Sequence, residues 1–159
     1  MNTDLETRLA RLENRAALEE IIYSYAQAFD RRDSAMLRSI WHEDAILDLG
    51  DIGRYEGLET IMTASVELWR TKPHMHHWMS NPLIEIAGDT ATAATALDCF
   101  VVDLDTGPTQ VGGLYRDSFE RRDGRWGLVL RQFELHYWTP IKNWVPTAGT
   151  DANLEAVAA

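Results

Sequence analysis

The sequence predicts an α+β fold, with helices first and then a curved antiparallel sheet wrapped around them as a cone-shaped barrel. Three observations predict it. Apolar residues recur at helical spacing from Asp4 to Asp30. Long strand-like segments follow one another from His76 to Tyr137. Asp123-Gly124, between the last two segments, is a two-residue hairpin turn whose positions both tolerate positive φ. Helices grouped ahead of strands, instead of alternating with them, mark the α+β class.

In the first segment Leu5, Leu9, Leu12, Ala16, Ile22, Tyr25 and Phe29 form one face and Glu6, Arg8, Arg11, Glu13, Glu19 and Glu20 the other. Its length exceeds the usual globular helix, so the first two turns are expected as a separate arm. Asp33 or Ser34 caps a short second helix carrying Met36, Leu37, Ile40 and Trp41. Ala45–Leu49 alternates as a strand, and Gly50-Asp51-Ile52-Gly53 turns. A third helix follows with Leu58, Ile61, Met62, Ser65, Leu68 and Trp69 on its apolar face, and Lys72-Pro73 ends it. The strands are then His76–Ile86, Thr90–Leu104, Thr109–Arg122 and Arg125–Tyr137. Pro82 marks the first of these as an edge strand or a bulged one. Residues 1–146 make one domain, and the small, polar tail 147–159 is expected to be loosely ordered.

The chain is 159 residues long with a net charge of −10, a balance that argues against nucleic acid and anionic membranes, which both demand basic patches. The expected ligand is a hydrophobic small molecule. Cys99 is the one cysteine, so no internal disulfide and no thiolate metal cluster is expected. Its apolar surroundings read as core. The N-terminus has no signal-peptide h-region and no run reaches about 18 apolar residues, which points to a cytoplasmic protein.

Several motifs carry a resemblance. Arg15–Ile22, Phe29-Asp30-Arg31-Arg32, Ile40–Ala45, Gly53–Gly57, Gly112–Tyr115 and Phe119–Trp126 resemble the SnoaL-like branch of the nuclear transport factor 2-like superfamily. The resemblance covers about residues 10 to 145 and implies an α+β cone. Within the branch the chain looks most like gamma-hexachlorocyclohexane dehydrochlorinase, with the bile-acid and scytalone dehydratases more distant. The dehydrochlorinase pattern implies a catalytic aspartate at Asp30, a catalytic histidine at His77, and at Arg131 an arginine that stabilises the leaving group. The pattern's lysine five residues before the aspartate is absent; Tyr25 stands there, as in the bile-acid dehydratase pattern. That departure favours an oxygen leaving group or a carbonyl substrate over chloride. The resemblance also implies a homo-oligomer, a trimer.

An imidazole with a pKa near neutrality takes protons effectively when a carboxylate fixes its tautomer. Asp30 is the candidate orienting group for His77; the alternatives are a helix-end aspartate and a core or surface histidine. Five residues on a helix place Tyr25 and Asp30 about 140° apart, so both reach one cavity only if it wraps around the helix end or the helix loosens. Tyr25 fits a general acid, a carbonyl polariser or a pocket wall. Arg131, taken alone, reads as a solvated strand residue sharing a face with Val129 and Phe133. Trp41, Asn81, Tyr115 and Phe133 are candidate pocket residues. His74, His76 and His77 invite a metal reading, with His42 or Glu43, but alternation puts His74 and His76 on the face opposite His77; no metal and no cofactor is expected. The expected activity is a lyase of dehydratase type on a cyclic or aromatic molecule. The alternatives are an isomerase or carbon–carbon lyase with the same dyad, or a non-catalytic binding module.

Overall fold

The computed structural model of the protein describes residues 3–143; Trp144 and the tail 147–159 lie outside the described residues. Helix α1 (Thr3–Arg31) runs unbroken for 29 residues, so no separate arm exists. Its first turns nevertheless project beyond the core: Leu5, Leu9 and Leu12, read in sequence as part of the apolar stripe, are exposed, and burial begins at Leu18. The helix ends where Arg32 turns to a φ of 56°. Arg32 N–H then donates to Phe29 O and Asp33 N–H to Ala28 O, the paired bonds of a Schellman stop. Asp33 is at once the N-cap of α2 (Ser34–Ser39), its side chain accepting from Met36 N–H at 2.9 Å.

Trp41 opens strand β1 (Trp41–Asp48) instead of extending α2. A single turn of 3-10 helix (Gly50–Ile52) and the short β2 (Arg54–Glu56) lead to α3 (Leu58–Thr71). Ile61, Met62, Ser65 and Trp69 are buried on α3, as the helical spacing of the sequence requires. Four long strands follow: β3 (His74–Ala87), β4 (Thr90–Asp103), β5 (Gly107–Arg122) and β6 (Arg125–Pro140). Asp123 and Gly124 both have positive φ in the last hairpin.

The sheet order is β2-β1-β6-β5-β4-β3. It differs from the expected antiparallel barrel in two respects. β1 runs parallel to β6, with Leu47 opposite Arg131, so the sheet is mixed; β2 and β3 are its two edges, so it stays open. Pro82 explains β3 twice over, since β3 is an edge strand and its register shifts between Ser80 and Leu83. Helix α1 packs along that edge strand, and Leu18, Ile22, Leu47, Ile61, Phe119 and Leu128 fill the space between the helices and the sheet.

Gly112 and Gly113 sit beside a register shift between β5 and β6. A Cβ on Gly113 would collide with the Glu134 carbonyl and come within 2.7 Å of the Phe133 ring. The bare backbone there is what lets Phe133 lie flat on the inner face. The atoms nearest a Cβ on Gly112 would be those of the Tyr137 ring, a half-exposed side chain that can swing aside. Gly113→Ala should therefore lower stability in urea unfolding by about 1–3 kcal/mol, the usual effect of overpacking. Gly112→Ala should cost about half of that or less, and equal losses would contradict the asymmetry.

Candidate active site

The site is assembled from the end of α1 and the inner face of the sheet. Because α1 stops immediately after Asp30, its carboxylate is free to leave the helix flank toward β3. The Arg32 guanidinium bonds to the Pro73 carbonyl, pinning the helix end to the start of that strand. Asp30 Oδ1 accepts from His77 Nδ1–H at 2.6 Å, and the same carboxylate accepts from the His77 backbone N–H at 3.0 and 3.2 Å. Both side chains are largely buried, with 7% of His77 and 15% of Asp30 exposed. The bond to Nδ1–H leaves Nε2 as the ring atom with a lone pair.

The angular problem of Tyr25 and Asp30 resolves without any distortion of α1. Tyr25 and Phe29, one turn apart, face a cavity together with His77, while Asp30 holds His77 from the side and does not line the cavity. His77 bridges the two helix faces. Its ring stands edge-on to Tyr25, with centroids 6.3 Å apart.

The cavity has a volume of about 90 Å³ and a mostly apolar wall that includes Tyr25, His77, Leu97, Cys99, Val111, Tyr115, Phe133 and Trp138. Cys99 lies directly across from His77 in the β3–β4 ladder, and burial pushes its thiol up, keeping it protonated. Tyr25 and Tyr115 are fully enclosed and hydrogen-bond to each other; burial raises both, Tyr25 to about 12, against the lowering effect of Arg131.

Arg131 is not the solvated strand arginine that its residue type, taken alone, suggested. It is fully buried. Its Nε and Nη2 donate to Asp117 at 2.8 and 2.7 Å, and its guanidinium lies 4.1 Å from the Tyr25 ring centre and 4.5 Å from that of Tyr115. Burial works against its charge, yet Asp117 outweighs that and its pKa is raised. Nη1 is buried without a partner. The two tyrosines therefore stand between Arg131 and the cavity, whose lining does not include the guanidinium. Asp117, cross-strand from Arg131, was missed in sequence; an acidic residue at an inward position of β5 was the available signal.

Of the pocket candidates, Tyr115 and Phe133 line the cavity. Trp41 does not; it is core, 1% exposed, packed edge-on to Tyr25 at 6.2 Å. Asn81 is exposed at the β3 bulge with a φ of 53°, a turn position and not a pocket one. The histidines do not converge: His77 points inward, while the exposed His76 lies tilted against Trp78, ring centroids 4.3 Å apart. His42 is occupied structurally, Nε2 donating to Glu120 O at 2.9 Å and Nδ1 accepting from Arg125 at 3.0 Å. Among the described residues no three His, Cys, Asp or Glu side chains are grouped so as to hold a metal ion. No helix among them is long and apolar enough to cross a membrane.

The SnoaL-like domain model matches residues 10–132. The chain belongs to the SnoaL-like family. It is 29% identical over 136 residues to gamma-hexachlorocyclohexane dehydrochlorinase of Sphingobium indicum, an alignment covering 84% of this chain and 87% of the relative. The crystal structure of a type 2 hexachlorocyclohexane dehydrochlorinase, LinA, superposes with a TM-score of 0.85 at 25% identity, covering 89% of this chain and 99% of that one. A scytalone dehydratase candidate from Novosphingobium aromaticivorans superposes with a TM-score of 0.74 over 81% of this chain and 88% of its own; at 17% identity that likeness shows the fold alone.

Enclosure of Tyr25 has a measurable consequence. Burial favours the neutral phenol, so the folded protein holds this proton above the ordinary tyrosine range. Stability from this group is intact below about pH 10 and is lost as pH rises toward about 12. Absorbance titration of the wild type minus Tyr25→Phe should show an ionisation near pH 12, and one near 10 would refute the enclosure.

Proposed function

We propose that this protein is a cofactor-free lyase that eliminates a leaving group from a hydrophobic cyclic or aromatic small molecule. One observation carries the reading: His77, which lines a mostly apolar cavity, has its Nδ1–H bound from the side by Asp30 at 2.6 Å. His77 Nε2 removes a proton from carbon, the C–H electron pair forms a carbon–carbon double bond, and the neighbouring bond to the leaving group breaks. Asp30 holds the imidazole tautomer and stabilises the imidazolium that forms. The name of the dehydrochlorinase relative, which describes loss of hydrogen and chloride, supports elimination as the reaction class.

Tyr25 is the proposed acid. A phenol held protonated by burial donates a hydrogen bond, and then its proton, to a departing oxygen; the proton on His77 restores it at the end of the cycle. Arg131 acts from behind, holding positive potential against the rings of Tyr25 and Tyr115, and is a positioning residue in this scheme. The Tyr25 hydroxyl would also steady an enolate oxygen, which keeps an isomerase using the same dyad as the second reading.

His77→Ala and Asp30→Asn test the dyad once a substrate has been found by screening cyclic alcohols and halides. Removing a positioned base costs about 10²–10⁴ in kcat. His77→Ala should fall by at least that much and Asp30→Asn by a comparable factor, with KM nearly constant. Full turnover by both variants would sink the mechanism. Tyr25→Phe should slow loss of a hydroxyl more than loss of a chloride.

A homotrimer is proposed on the resemblance, and the exposed Trp78, Leu83 and Tyr137 give it an apolar surface to bury. Sedimentation at micromolar concentration should give three times the 18.1 kDa chain mass; a monomer would overturn it.

A further inference from the structure

The cavity holding His77 and Tyr25 is too small for the whole of a cyclic substrate. A buried benzene occupies a space of about 150 Å³, whereas this cavity offers about 90 Å³. Beside it, along α3, runs a groove of about 750 Å³. Phe29, Leu49, Ile52 and Leu68 line both spaces, so the groove adjoins the cavity at these side chains. Together the two fall within the range of small-molecule sites, about 300–1,000 Å³.

The chemistry of the groove selects what it can hold. Its floor is apolar, with Leu47, Tyr55 and Ala64 beside the shared residues. Its two carboxylates are already paired: Glu59 accepts from Arg38 at 2.5 and 3.0 Å, and Glu67 from Arg70 at 3.0 Å. An anion would face both carboxylates, and a cation would have to displace an arginine from one of them. Thr60 and Thr63 supply the neutral polar groups of the rim.

We propose that the groove along α3 is a second substrate subsite, and that the substrate is an elongated, uncharged, mainly apolar molecule. Its reacting end enters the cavity at His77 and Tyr25, and its body lies over Leu68 and Ala64. The assignment of ends rests on the cavity being the reaction site; the existence of the subsite does not.

Phenol, 4-propylphenol and 4-hexylphenol serve as probes, with binding to the full chain measured by calorimetry. A buried methylene strengthens binding about three- to fourfold, so affinity should rise at least 100-fold from phenol to 4-hexylphenol. Ala64→Trp should cut that ratio below tenfold by filling the floor. Thr63→Trp, on the exposed rim, should lower it as well and guards against a folding defect in the first variant. Tyr25→Phe should weaken all three probes alike and leave the ratio in place. Phenol binding with a flat length dependence would overturn the subsite and leave the cavity reading standing. A steep ratio untouched by both tryptophans would put the alkyl chain elsewhere and also overturn it. If 4-hexylphenol binds, responds to Ala64→Trp and ignores Tyr25→Phe, the subsite holds and the cavity assignment falls. Failure of all three probes to bind would overturn both.

Discussion

The Asp30 carboxylate meets two requirements with one group. β3 is an edge strand, and edge strands leave N–H donors without a sheet partner. Asp30 accepts from the backbone N–H of His77 as well as from its ring, so the contact that fastens α1 to the sheet also fixes the imidazole. The last turn of a helix disfavours a negative charge by at most about 1 kcal/mol; two N–H donors, the backbone one shared between both carboxylate oxygens, outweigh that. Everything upstream serves this contact: the Schellman stop at Arg32, the cap at Asp33, and the bond from Arg32 to Pro73 set where α1 ends relative to β3.

The second constraint lies at the centre of the sheet. Arg131 and Asp117 form an ion pair with both side chains at 0% exposure. Buried pairs gain little over apolar packing of the same volume, and removing one partner costs about 3–5 kcal/mol. Nη1, unpartnered, adds a further desolvation penalty. Such a group persists where its field is useful. Here the guanidinium lies against the faces of Tyr25 and Tyr115, where a cation is attracted to the ring electrons. It also draws both phenols toward ionisation, although burial still wins. The outcome is a mostly apolar cavity wall in which the Tyr25 and Tyr115 hydroxyls bond to each other, and Lys72, which also lines it, is paired with Asp103.

Local chemistry made most of the elements legible in sequence. Asp33 as cap, Lys72-Pro73 as a stop, Asp123-Gly124 as a hairpin and Pro82 as an edge marker each depend on a few neighbouring residues. The parallel pairing of β1 with β6 was not legible, because it joins segments more than 80 residues apart that carry no common signal. The burial of Arg131 was hidden for a different reason. Alternation does set Arg131 on the buried face of Phe133, but a charged side chain in a strand reads as solvated until its partner Asp117, on another strand, is known. Leu5, Leu9 and Leu12 kept helical spacing yet stand clear of the core, since periodicity shows which face is apolar and not whether anything covers it. At the site, the Asp30 and His77 pairing came from motif resemblance; the role of Phe29 beside Tyr25 needed only the four-residue spacing of a helix.

Tyr25 is where this chain parts from the dehydrochlorinase pattern, and the structure gives that difference a physical content. A lysine at the position would add a positive charge at the cavity wall, which suits a departing chloride. A phenol with a pKa of about 12 adds no charge but offers a proton. Arg131 does not substitute for the missing ammonium, because Asp117 already neutralises it and two aromatic rings separate it from the cavity. Lys72 also lines the cavity, but its ammonium is paired with Asp103 at 2.6 Å, so under the proposed reaction a departing halide would develop its charge beside a cation already neutralised. In the proposed reaction a hydroxyl leaves as water and develops no such charge, Tyr25 being the proposed source of the proton. Under the proposed reaction, the exchange of lysine for tyrosine moves the preference of the site from anionic leaving groups to those that depart neutral.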